Sequence, residues 1–222
     1  MSAKNHSNDQ QSKSDQARKR FVDSMHIDYE KWHDGIGYDM AALDDMNEHD
    51  KEAIIEMLAS NLDDSWRRFE ALEHIGTPKA LSIIEKSLED KRLQVRIAAA
   101  RFVRDSDEAR ERVFIQALEK SNLYEGLSQV LDQIENFHPP GIVDALFRGL
   151  LKRGDSAAVN FAGILFFIHG KADSSFDWGQ RPLFLKFDTD DINVRKQAFI
   201  ELCSKLEVDP KKYLNQLASE ES

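Results

Sequence analysis

The chain has 222 residues, with 30 Lys and Arg against 40 Asp and Glu, a formal charge of −10 and a single cysteine. That length fits one domain with a small appendage, and a lone cysteine excludes both an intrachain disulfide framework and a cysteine-rich zinc site. The longest apolar stretch, Ala162 to Ile168, falls far short of the ~20 residues a membrane-spanning helix needs. Met1 to Arg20 lacks the apolar core of a secretory leader. The expectation is a soluble, cytoplasmic, acidic protein.

Residues 1–19 contain no aromatic and no β-branched side chain, a composition too poor in buriable surface to offset chain entropy, which predicts a disordered tail. Residues 20–49 read as an acidic, aromatic N-terminal cap. Across 21–65 only Lys31 and Lys51 stand against thirteen acids, so the acidity of the chain is concentrated there. Within it, Tyr29, Trp32 and Tyr38 are interleaved with Asp28, Glu30, Asp34, Asp39, Asp44 and Asp45. Aromatic anchors among carboxylates are a pattern suited to a basic partner surface. His33-Asp34 is also a pair used by metal-dependent phosphohydrolases, but that chemistry needs further convergent ligands, and Gly35 directly after the pair disfavours a helix there.

From residue 50 onward, apolar residues recur at three- and four-residue spacing, which predicts helices at about 50–61, 64–75, 78–89, 92–104, 107–120, 123–136, 140–152, 156–169, 181–187, 191–206 and 210–218. Asp63-Asp64-Ser65, Thr77-Pro78 and Asp155-Ser156 are helix-start chemistry, and Gly76 and Gly154 suit helix ends. The stretch 170–187 breaks the beat with a loop and a short helix opening at Arg181-Pro182. There Phe184 and Phe187 have helical spacing for packing, and Trp178 stands out as a residue with a possible binding role. The helices pair, and the second helix of each pair recurs at steps of roughly 28 to 35 residues, the period of a helical-repeat solenoid.

Three of those second helices share Arg-x-x-Ala near their start: Arg68 with Ala71, Arg96 with Ala99 and Arg195 with Ala198. The run from Glu89 to Val103, with an acid in the turn, then Val-Arg, then small residues, resembles the second helix of a HEAT-like repeat. Asp188 to Phe199 is a second copy, and Asp63 to Leu72 a looser third. The resemblance, over about 50–208, is to HEAT-like repeats of the bacterial, phycobilin-lyase-type variety. It implies an all-α solenoid of about five helix pairs spanning 50–218, and says more about fold than function.

No catalytic constellation, phosphate loop or metal set emerges, so no catalytic residue, metal or cofactor is expected. Cys203, on an apolar helix face, reads as a core thiol. His74, His138 and His169 sit near helix ends, where His74 and His169 suit an interaction with free carbonyls. The arginines of the second and third helix pairs are nearly matched by acids, which favours inter-repeat ion pairs over nucleic-acid binding. The leading expectation is a non-enzymatic protein-interaction module binding a basic protein, for example an immunity protein neutralising a basic toxin. Its surface would include Tyr29, Trp32, Asp34, Tyr38, Asp39, Asp44, Asp45 and Trp178. A bilin-lyase-like enzyme and a DNA-lesion-binding HEAT-like protein are the alternatives.

Overall fold

The helical spacing of the apolar residues is realised along nearly the whole chain, and no strand occurs among the described residues. The computed structural model describes residues 2–177 and 179–220, with side chains described from residue 11 onward except at 178 and 220. The chain divides into two compact units, Met1–Asp107 and Glu108–Ser222.

The first unit contains α1 (Ser2–Ser24), α2 (Tyr29–His33), α3 (Met40–Asp44), α4 (Glu48–Ser60), α5 (Trp66–Ile75), α6 (Pro78–Ser87) and α7 (Leu93–Ala100). Here α4 packs on α5 and α6, and α5 on α6 and α7. Ile54, Ile55, Leu58, Phe69 and Leu72 are fully buried between them. The second unit contains α8 (Asp107–Lys120, starting at the boundary), α9 (Ser128–Ile134), α10 (Pro140–Lys152), α11 (Ser156–Ile168), α12 (Arg181–Phe184), α13 (Ile192–Leu206) and α14 (Lys211–Glu220). Its core is aromatic. Phe147 is buried against Phe199 at 6.2 Å and stacks on Tyr213 at 4.8 Å, and Phe166 meets Phe184 edge-on at 5.0 Å.

Helix starts follow the expected chemistry. The Thr77, Asp155 and Asp191 side chains each accept a backbone N–H of the turn they open, and Gly76 closes α5 at φ 66°. Gly154 has a different role: a methyl group there would collide with the Thr189 carbonyl, so glycine permits a close backbone approach.

Three expectations are corrected. The stretch expected as a disordered tail, 1–19, is helical over its described residues: α1 runs from Ser2 to Ser24, and Ser14, Ala17 and Phe21, spaced three and four apart, are buried at 1%, 1% and 0% exposure. A face of small residues lets α1 lie on α3 and α4 without the large apolar side chains that the composition argument required. The Ser14 hydroxyl donates to the buried Asp50 carboxylate and accepts the Asn47 N–H at 2.9 Å, and Arg18 lies 3.6 Å from the same carboxylate. Second, the helix expected at 123–136 is split. A kinked turn, Leu123–Leu127, precedes α9 because Glu125 and Gly126, the latter at φ 92°, lie outside helical geometry. Third, the helix expected at 181–187 is one turn of α-helix followed by a 3-10 turn, Leu185–Phe187.

The shared arginines are tied into the backbone. Arg96 donates to the Asp90 carbonyl at 2.5 Å and Arg195 to the Thr189 carbonyl at 2.5 Å, each reaching back six residues across the turn before its helix. Arg68 makes the looser version, to the Asp63 carboxylate at 3.2 Å. Further arginines reach carbonyls about one helix pair earlier in the chain. Arg67 binds Ile36 O, Arg92 binds Leu62 O and Arg104 binds Glu73 O in the first unit. In the second unit, Arg153 binds Leu118 O and Ser121 O, and Arg195 also binds Leu151 O. These carbonyls lie at or beyond helix C-termini, where intrahelical donors run out.

Candidate functional site: an aromatic and acidic segment

Between α1 and α3 the chain makes one short helix, α2, whose five residues would not hold together unaided. It is fastened at both ends. Asp28 caps its start, accepting the Lys31 N–H at 2.9 Å. At its end, the buried Arg67 of α5 donates to Ile36 O at 2.6 Å and Lys31 O at 3.3 Å. Lys31 folds back to His26 O at 3.0 Å. The result is a rigid mount for two rings that face solvent. Tyr29 is 74% and Trp32 64% exposed, with centroids 6.2 Å apart and planes tilted by 34°. His33 lies 5.9 Å from Tyr29 and pairs with the exposed Asp34 at 2.9 Å. Ile36, four residues beyond Trp32, is also exposed. Exposed apolar groups on a fixed backbone, rimmed by carboxylates, are what a docking surface requires.

The rest of the expected surface is tied to other parts of the first unit, with Asp44 and Asp45 still exposed. Tyr38 is not an exposed anchor: it is buried edge-on against Phe21 at 5.7 Å, and burial raises its phenol above the ordinary value. Asp39 caps α3 through the Ala42 N–H at 3.1 Å and takes Arg20 at 3.3 Å. Asp45 receives the other arm of Arg20 at 3.2 Å. Asp44 pairs with the Nε2 of His74 at 2.8 Å, so that histidine serves a carboxylate rather than the carbonyls at the end of α5. His138 and His169 do bond carbonyls four residues back, at 2.9 and 2.7 Å, which places their protons on Nδ1. Of the eight residues read from sequence, the structure brings Tyr29, Trp32 and Asp34 to one exposed segment. It turns Tyr38, Asp39, Asp44 and Asp45 to fastening that segment and its neighbours. Trp178 lies outside the described residues.

Reactive groups elsewhere are quiet. Cys203 is fully buried, and burial pushes its thiol up to about 12. The Tyr213 hydroxyl donates to Asp144 at 2.7 Å beside Lys212, and burial followed by that bond raises the phenol. Among the described residues, no three His, Cys, Asp or Glu side chains gather to hold a metal ion, and no helix is long and apolar enough to cross a membrane. The second unit contains a cavity that sequence reasoning missed. Its walls come from 123–135 and 160–176, and the one local signal for it was a glycine, Gly126, inside an expected helix.

No protein-family model matches this chain, and neither does any curated protein or solved structure.

Proposed function

We propose that the protein is a non-enzymatic module of HEAT-like helix pairs that holds a basic protein through the exposed part of its N-terminal segment. The repeat reading draws support from the stacking of α4 on α6 and α5 on α7. The matching reach of Arg96 and Arg195 over their preceding turns supports it too. The observation that carries the binding role is the Tyr29–Trp32 pair, two large rings left in solvent on a helix that Asp28 and Arg67 hold still. Burying such rings against a partner releases apolar surface from water at little entropic cost, because the mount is already ordered. Glu30 and Asp34 flank the rings, so a lysine- or arginine-bearing partner finds both apolar contact and charge. An immunity protein that covers the cationic substrate site of a toxin is one concrete form.

Affinity capture from the native cells, run in parallel with wild type and a Tyr29→Ala/Trp32→Ala variant, tests this reading. A basic protein whose recovery falls by about tenfold or more with the variant supports it, as hot-spot aromatics contribute on that scale. The side chains make no buried contact, so the variant should melt with the wild type. Equal recovery by both proteins would remove the segment from the binding surface.

A further inference from the structure

The cavity in the second unit measures about 340 Å³, within the ~300–1,000 Å³ typical of small-ligand pockets. Two glycines build it. Gly126 at φ 92° breaks the helix and leaves Tyr124 wholly exposed at the cavity. Gly163 has no side chain to obstruct the Ser175 carbonyl, with which a methyl group would collide, so the loop after α11 lies directly on that helix. The loop is further held by the Ser175 hydroxyl, which donates to Glu135, and it delivers Phe176, 69% exposed, to the same cavity. Leu131 and Ile164, both buried, supply the apolar lining.

The polar lining is one-sided. Asp132 and Glu135 bring carboxylates three residues apart, a spacing that puts side chains on one helical face. Asn160 spends its amide nitrogen on Ser156 O at 2.8 Å, which leaves its side-chain oxygen as an acceptor. The Ser175 hydroxyl spends its hydrogen bond on Glu135, which leaves its oxygen as an acceptor. Among the described residues, no lysine, arginine or histidine lines the cavity. Acceptors, negative charge and two exposed rings complement a ligand with a compact cationic donor on an aromatic body. We infer that this cavity binds a small arylalkylammonium compound, its ring against Tyr124 and Phe176 and its ammonium toward Glu135. This site is independent of the partner surface proposed above.

The test uses the full chain and two probes of similar size and opposite charge, 2-phenylethylammonium and 3-phenylpropanoate, titrated by calorimetry and by protein NMR. Saturable binding of the ammonium, none of the carboxylate, and an affinity loss of about tenfold in Glu135→Gln are expected, since a charge-assisted bond is worth about that factor. Tyr124 is fully solvated, so Tyr124→Ala leaves the fold intact; it should weaken the ammonium several-fold, and it decides the matter if Glu135→Gln fails to fold. No saturation by about 10 mM, a loose limit even for a small fragment, would overturn the assignment. So would equal affinity for both probes, or unchanged binding in Tyr124→Ala.

Discussion

At the scale of single residues, the protonation states follow directly from what each group touches. Asp90 sits in the turn before α7, where two Arg92 nitrogens contact it at 3.0 and 2.9 Å and hold its carboxyl down to about 2. An unfolded chain protonates this group near ~3.9. The folded pKa is therefore depressed, and the pair's contribution is complete above about pH 4 and fades as pH falls toward 2. Because the pair is solvated, the effect is small. Asp90→Asn should flatten the acid limb of stability between about pH 4 and pH 2, measured as urea midpoints against the wild type. Cys203 shifts the other way, with burial raising its thiol to about 12. It should resist thiol reagents in the folded protein at about pH 8, near the ordinary thiol value, and react at once in denaturant; rapid native labelling would place it at the surface. Cys203 was legible as a core thiol from the apolar positions around it. Tyr38 was not legible, because its spacing in an acidic stretch is the same whether Phe21 covers it or water does.

At the scale of elements, the docking of α1 and the close approach at Gly163 depend on contacts between segments distant in the chain, whereas the split of the helix expected at 123–136 is local to Gly126. Most helices from 50 to 218 were legible because large apolar residues mark their buried faces, the exceptions being 123–136 and 181–187. The α1 helix was not, because its buried face is Ser14 and Ala17, followed by Phe21, and small residues carry almost no hydropathy signal. Likewise Gly163 signals only that something comes close; that this is the Ser175 backbone rather than another helix depends on the loop. The α1 docking makes a definite claim. Deleting residues 1–19 removes Ser14 and Arg18 and leaves the Asp50 carboxylate, 2% exposed, without either partner. The deletion also takes away the part of α1 that lies on α3 and α4, so apolar burial is lost together with these polar contacts. The truncated protein should melt several degrees below the full chain. Ser14→Ala, which retains Arg18, should lose about 1–3 kcal/mol. Superimposable melts for all three proteins would return residues 1–19 to the status of a dispensable tail.

For the molecule as a whole, the question is what its charge is available to do. The arginines of the first unit are occupied within it: Arg67 by the carbonyls after α2, Arg68 by Asp63, Arg92 by Asp90 and Leu62 O, and Arg104 by Glu73. Cations held this way keep their formal charge but project little of it, and the chain carries −10 overall. Duplex binding draws on phosphate contacts by uncompensated Lys and Arg, and each such contact steepens the loss of affinity with salt. A protein whose arginines fasten its own turns has few to offer, and its net charge opposes approach to DNA. Fluorescence anisotropy with a labelled duplex should therefore show no binding at about 0.15 M salt, and at most weak binding in dilute buffer where screening is relaxed. Submicromolar affinity at the higher salt, with a log–log slope of several units, would mean that a set of cations is presented outward together. The DNA-binding alternative would then displace the protein-partner reading. Four acids of the N-terminal region, Asp39, Asp44, Asp45 and Asp50, are engaged in the same manner, by Arg20, His74 and Arg18. Binding of a basic partner should accordingly depend more on Tyr29 and Trp32 than on salt, with Trp32→Ala costing more affinity than Asp34→Asn.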